Sequence, residues 1–117
     1  MSFRFEKLTV WQDSRVFINK IYKITKPFPK EERFGLIDQL RRASVSIALN
    51  IAEGSDRKSD AEFKRFLRMA IASCEEVVTA LYVSKDLGYI KGKNFDIIYK
   101  DANRLVAKIN ALVNSLK

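Results

Sequence analysis

One thiol, Cys74, and four of the seven glutamates, Glu53, Glu62, Glu75 and Glu76, are side chains in this 117-residue chain whose types and spacing could carry covalent or metal chemistry. A nucleophilic cysteine needs a neighbouring base to hold it as thiolate, usually a histidine. The chain has no histidine. Cys74 therefore reads as a small buried hydrophobe, the commonest state of a free cysteine. A di-metal site in a helical bundle takes glutamates from several helices together with Glu-x-x-His pairs, and here the His partners are missing. Gly54, Gly88 and Gly92 are isolated and form no phosphate-cradling loop. The sequence points to no catalytic residue, no metal and no cofactor, hence to a protein that is not an enzyme.

What remains is charge. The net charge is +8. Residues 1–58 carry 12 basic and 7 acidic side chains, and residues 59–117 carry 10 and 7, so the excess is spread along the chain and is not a tail. Such a balance suits an anionic partner, of which nucleic acid is the commonest. Two groups of cations stand out. Arg41, Arg42, Arg57, Lys58, Lys64, Arg65 and Arg68 form the first; Phe63 to Cys74 is free of acids. Lys100, Arg104 and Lys108 form an i, i+4, i+8 row that Asp96 and Asp101 dilute. Rows of this kind can track phosphates; they can equally be an ordinary solvated face. Most aromatics fall at core spacing, and no basic-aromatic interleaving suggests a base-stacking platform.

The stretch from Arg41 to Gly54 is rich in small residues and places Ser46 and Asn50 one turn apart among apolar neighbours. Small residues let helix axes approach closely, and Ala70, Ala72 and Ser73 are placed to face them. A buried Asn must be hydrogen-bonded, so the spacing predicts a polar network of Ser46, Asn50, Glu53, Ser73 and Glu76. Asn50 is expected buried, with Ser73 or Glu76 as its partner, and Glu53 is expected to engage a neighbouring helix or the 54–58 loop. The alternative to a register-fixing network is a polar ligand site.

Four helices would position these groups. Residues 9–26 carry Val10, Trp11, Phe17, Ile18, Ile21 and Ile24 at spacings of three and four, and Pro27 ends the pattern. Phe28, between Pro27 and Pro29, is expected to tuck under the bundle. A second helix is predicted over 31–53, with Glu31 and Glu32 at its positive N-terminus and Gly54 as its stop. Ser59 and Glu62 form a capping box that opens a third helix, 60–87, which Gly88 ends while Tyr89 and Ile90 fold back. Asn94 reads as the N-cap of a fourth, 95–116. There three apolar positions recur every seven residues, a bundle face wider than a coiled-coil seam. Short links favour antiparallel neighbours, so the reading is all-α: an up-down-up-down antiparallel four-helix bundle forming one domain over 1–117.

The second helix is apolar on two faces, at 37/40/44/47/51 and at 45/48/49/52. Ile71, Tyr82 and Val83 lie beyond the core line of the third, and Val16 beyond that of the first. A lone bundle cannot bury all of them, and contiguous apolar surface marks an interface, so a homo-oligomer is expected. The single cysteine suits a reducing compartment. With neither a secretory h-region nor an apolar run long enough to span a membrane, a cytoplasmic protein with no membrane partner is expected.

Several segments are similar to a known family. They are Phe5-Glu6-Lys7-Leu8 with Val10-Trp11-Gln12, Phe28-Pro29 with Glu32-Arg33-Phe34-Gly35-Leu36, Gln39-Leu40-Arg41-Arg42-Ala43, Val45-Ser46-Ile47 with Asn50-Ile51-Ala52-Glu53-Gly54, Glu62-Phe63 with Arg65-Phe66-Leu67, and Leu87-Gly88-Tyr89. In this order they resemble the four helix bundle protein family, also called 23S rRNA intervening-sequence proteins. The resemblance runs from residue 5 to about 90; the fourth helix matches only in kind. It implies the bundle fold and no catalytic residues. Related bundles assemble as pentameric barrels, and one related group, the accessory variability determinant of diversity-generating retroelements, binds nucleic acid and a reverse transcriptase. The resemblance thus implies a basic homo-oligomer, a pentamer first, with RNA or DNA and a reverse transcriptase or other protein as partners. Ala48 departs from the proline of many relatives and implies a straighter helix. Two functions stay open: nucleic-acid binding through phosphate contacts, and a protein-interaction scaffold whose charge is incidental.

Overall fold

Where the apolar spacing is helical the chain is helical. The computed structural model describes residues 2–117, and among them are four α-helices and no strand. They are α1 (Thr9–Thr25), α2 (Leu36–Ser55), α3 (Asp60–Asp86) and α4 (Gly92–Ser115). Two short 3-10 turns, Arg4–Lys7 and Lys30–Glu32, precede α1 and α2. The helices form a ring in which each packs against its chain neighbours and α1 closes on α4. Every seam is antiparallel. Lys20 meets Asp101 and Asp13 meets Lys108 between α1 and α4. Gln39 meets Glu76 and Ser46 meets Ser73 between α2 and α3.

The core is one apolar column that takes residues from all four helices. Ile21, Leu40, Ile47, Ile51, Leu67, Leu81 and Ile109 are shut off from solvent completely. Buried hydroxyls within it are satisfied locally: Thr25 Oγ1 donates to the Ile21 carbonyl at 2.8 Å and Ser84 Oγ to that of Ala80 at 2.7 Å. No buried side-chain polar atom among the described residues lacks a partner.

The helix ends differ from the sequence reading in four places. Glu31 and Glu32 do not open α2, which starts five residues after Glu31, at Leu36. Glu32 instead caps it from outside: its Oε1 accepts from the Leu36 amide at 3.1 Å. Its Oε2 accepts from the Tyr89 hydroxyl at 3.0 Å, so one carboxylate ties the α1–α2 and α3–α4 loops together. That bond and the negative charge beside it raise the Tyr89 pKa above the ordinary tyrosine value. Phe28 is buried below and packs on Tyr89 with ring centroids 5.5 Å apart. Second, the N-cap of α4 is Lys91 and not Asn94, which lies inside the helix. Third, the turn at Arg4–Lys7, which the sequence reading leaves unassigned, is closed by Glu6, whose Oε1 accepts from the Phe3 amide at 2.6 Å. Fourth, Gly54 is not a stop. It is buried within the last turn of α2, at negative φ.

Other signals are seen as read. Ser59 Oγ accepts from the Glu62 amide at 3.2 Å, though the Glu62 carboxylate turns to Arg65 and does not reach back. Gly88, at φ +81°, ends α3. The Tyr89 amide reaches the Ser84 carbonyl at 2.9 Å and the Gly88 amide that of Lys85 at 3.0 Å, the Schellman pattern.

The role of Gly54 lies in packing. A Cβ there would stand 2.5 Å from the Phe66 Cβ and 3.1 Å from the Phe63 ring. The first of these is fixed to the α3 backbone, so the helices would have to part. Gly54→Ala is expected to destabilise the protein by about 1–3 kcal/mol, as overpacking does. A urea midpoint equal to wild type would show that α2 and α3 are not held this closely.

Candidate nucleic-acid interface

The α2–α3 seam sets where the candidate residues stand. Ser46 Oγ and Ser73 Oγ are 2.9 Å apart, and Asn50 Nδ2 donates to the Ser46 carbonyl at 2.9 Å and to Ser46 Oγ at 3.1 Å. This three-residue chain crosses the seam. Asn50 is half-buried and not buried, because it lies toward the outer edge of the contact. Its partner on its own helix is Ser46, and Ser73 is reached through Ser46. Glu53 pairs with Arg57 of the following loop at 3.2 Å, and Glu76 bonds Gln39. The five residues grouped by sequence spacing thus form three separate contacts.

The seven cations grouped by sequence divide as well. The pairings along the seam place Arg41 and Arg42 level with the stretch between Ser73 and Glu76, roughly two turns from Arg68 along the bundle. Arg41 is half-buried and turns toward α1: its Nε donates to Thr25 Oγ1 at 3.0 Å, its Nη2 to the Tyr22 carbonyl at 3.2 Å, and its guanidinium lies 4.6 Å from the Tyr22 ring centroid. A cation on the last carbonyls of a helix is favoured there by the helix dipole, so Arg41 holds α1 to α2. Arg42 is exposed.

Arg57, Lys58, Lys64, Arg65 and Arg68 gather at the α2–α3 loop end. Arg57 and Arg65 both lie over Phe66, at 4.6 and 4.7 Å from its centroid. Arg65 also pairs with Glu62 at 3.0 Å. That bond and the Arg65 charge hold the Glu62 carboxyl below the usual range, and Glu62 in turn raises the Arg65 pKa. Both pairs are exposed, and pairs of this kind contribute little to stability. They orient the guanidinium groups without withdrawing them from an incoming anion. Lys58, Lys64 and Arg68 form no ion pair among the described residues.

The α4 row is partly spent on the fold. Arg104 pairs with Asp101 at 3.2 Å and Lys108 with Asp13 at 2.8 Å, which leaves Lys100 without an ion pair among the described residues. The second apolar face is smaller than its composition suggests. Ala48 is buried and Val45 and Ala52 are half-buried, partly because the Arg4–Lys7 turn packs on α2; Arg4 donates to the Ser55 carbonyl at 2.9 Å. Leu49 remains 62% exposed, and Met69, Tyr82, Val83 and Val16 are exposed too. Among the described residues no helix is long and apolar enough to cross a membrane, and no cluster of His, Cys, Asp or Glu could hold a metal.

A family model described as "23S rRNA-intervening sequence protein" matches residues 6–111. Among solved structures, a protein of Bacteroides thetaiotaomicron, described as of unknown function and from the S23 ribosomal protein family, has the same fold. Its TM-score is 0.82 at 24% identity, over 90% of this chain and 95% of that one. No curated protein matches the chain.

Cys74 is shut off from solvent, and burial, with a smaller contribution from Glu75, pushes its thiol up to about 12. At pH 8 the folded protein then holds roughly one thiolate in ten thousand. Alkylation by iodoacetamide should follow unfolding, with the rate rising at the denaturation midpoint; fast reaction of the native protein would contradict the burial. The linkage has a definite sign. Below the ordinary thiol value of 9.0 both states keep the proton, while between there and about 12 only the unfolded chain releases it, so stability falls as pH rises. Cys74→Ala should flatten that alkaline limb in urea titrations.

Proposed function

We propose that this chain, which belongs to the 23S rRNA-intervening sequence protein family, acts without catalysis as a homo-oligomeric bundle that binds structured RNA or DNA through phosphate contacts. The observation that carries the reading is the surplus of free cations. Of 22 Lys and Arg side chains, five form ion pairs among the described residues. Arg4 and Arg41 are held by hydrogen bonds within the fold, and most of the others are available to neutralise phosphates and release counterions. Lys58, Lys64 and Arg68, with the oriented Arg57 and Arg65, form the contact group. Arg42 adds to it only across the length of the α2–α3 seam, and Arg41 acts in the fold.

Exposed Leu49, Met69 and Val83 support self-association, with a pentamer as the first expectation, since large apolar side chains left in water on helix flanks suit an interface. A ring would repeat the cations and raise avidity without new contacts. The same residues favour a second reading, a scaffold for another protein such as a reverse transcriptase, in which the charge is incidental.

The double substitution Lys64→Glu with Arg68→Glu separates the readings. Anisotropy titrations with a structured RNA over a salt series should show weaker binding, with a slope of log affinity against log salt shallower by about 1.5–2, two phosphate contacts' worth. Unchanged affinity and slope would remove this group from the interface. Light scattering at micromolar concentration should give a multimeric mass for both proteins. A monomeric wild type would end the oligomer proposal, and a variant that alone dissociates would make Lys64 and Arg68 subunit contacts.

A further inference from the structure

At the opposite end of the bundle from the α2–α3 loop, the α1–α2 and α3–α4 loops meet through the Glu32–Tyr89 bond and the Phe28–Tyr89 contact. Phe34 stands there and is 86% exposed, more than any other large apolar side chain described. The guanidinium of Arg33 lies 5.3 Å from its ring centroid. Lys26, Lys30 and Lys91 in the same two loops, and Lys93 in the first turn of α4, form no ion pair among the described residues. Of the acids within these loops, Glu32 is engaged by Tyr89 and the Leu36 amide, which leaves Glu31, with Asp86 at the end of α3 beside them. Asp38 follows in the first turn of α2, where a helix N-terminus favours an acid, and Asp96 lies one turn into α4.

From this juxtaposition we infer that the Phe34 end is a second nucleic-acid contact, one that takes unpaired nucleotides by stacking a base on Phe34 while the surrounding lysines hold its phosphates. The site is held in place. Glu32 fixes the turn from both of its oxygens, and Gly35 makes room for that grip, since a Cβ at Gly35 would stand 2.6 Å from Glu32 Oε1. The turn before α2 therefore holds Phe34 out in solvent on a tethered backbone. A flat aromatic face with a guanidinium beside it, among cations without partners, matches the two halves of a nucleotide. A protein partner would be expected to use a wider apolar surface than one ring; charge complementarity favours the polyanion.

This inference rests on the nucleic-acid reading above, and one experiment distinguishes their failures. Two RNA probes share one stem: a hairpin with an unpaired loop, and a blunt duplex. Wild-type protein should bind the hairpin more tightly. Phe34→Ala should weaken the hairpin about tenfold and leave the duplex unchanged, since removing one stacking aromatic costs about that much. Phe34→Tyr should restore the hairpin affinity. Circular dichroism should show the same melting temperature for all three proteins, because Phe34 supports no core contact. Binding of neither probe by wild type overturns both readings. Binding of both, with Phe34→Ala equal to wild type, overturns this inference alone and assigns Phe34 to a protein contact. An equal loss on both probes also overturns it, because stacking on unpaired bases would not weaken the duplex.

Discussion

The closeness of α2 and α3 is the constraint on which the rest of the structure depends. Gly54 against Phe66, with buried Ala43 and Ala70 along the same pair of helices, lets the two backbones approach farther than larger side chains allow. Packing by small residues has little directional preference, and helices in contact through such a surface could slide by a turn. The Ser46–Ser73 bond removes that freedom, because a shift along the seam would leave a hydroxyl without its partner. Once this register is set, Arg57 falls over Phe66, the 56–59 link is short, and Ser59 meets the amide that it caps.

The parts of this fold that the sequence made legible are those governed by local physics. Pro27 ends α1 because proline disfavours helix just before it. Ser59 opens α3 by reaching an amide three residues on, and Gly88 closes it because a positive φ suits glycine. The apolar heptads of α4 found the core side of that helix. What stayed hidden depends on partners distant in the chain. Glu31 and Glu32 look like the first turn of a helix, but Glu32 is drawn to Tyr89, 57 residues away, and the chain turns at Gly35 before α2 begins. Gly54 looks like a stop. That it is a contact point could be known only once Phe66 was placed against it.

The candidate site follows the same division. Residue types gave the cations and their excess; they could not say which were already engaged. Arg41 resembles a phosphate ligand until the end of α1 is placed beside it, where Thr25 and the Tyr22 carbonyl take its donors. Arg65 seems free until Glu62 turns away from its capping role toward it. The aromatics misled in the other direction. Most are core residues at helical spacing, and nothing in that general pattern sets Phe34 apart. It follows Arg33 directly, and an Arg-Phe pair beside a glycine in a charged link was the available signal.

Every buried side-chain polar atom among the described residues is satisfied, so none is left over inside to hold a ligand. The bundle's seams are crossed by the Ser46–Ser73 hydroxyl pair and by Lys20 and Lys108, each paired with an acid of the facing helix. Chemistry is thereby moved to the two ends, where helices stop and loops hold cations that the fold does not use. A contact built from free cations on a convex surface is weak and depends on salt. Such a surface gains strength chiefly through repetition, so the proposed self-association through Leu49, Met69 and Val83 and the proposed binding through the bundle ends belong to one argument: in that reading the exposed apolar side chains on the flanks would supply the copies, and the ends left free would present the charge.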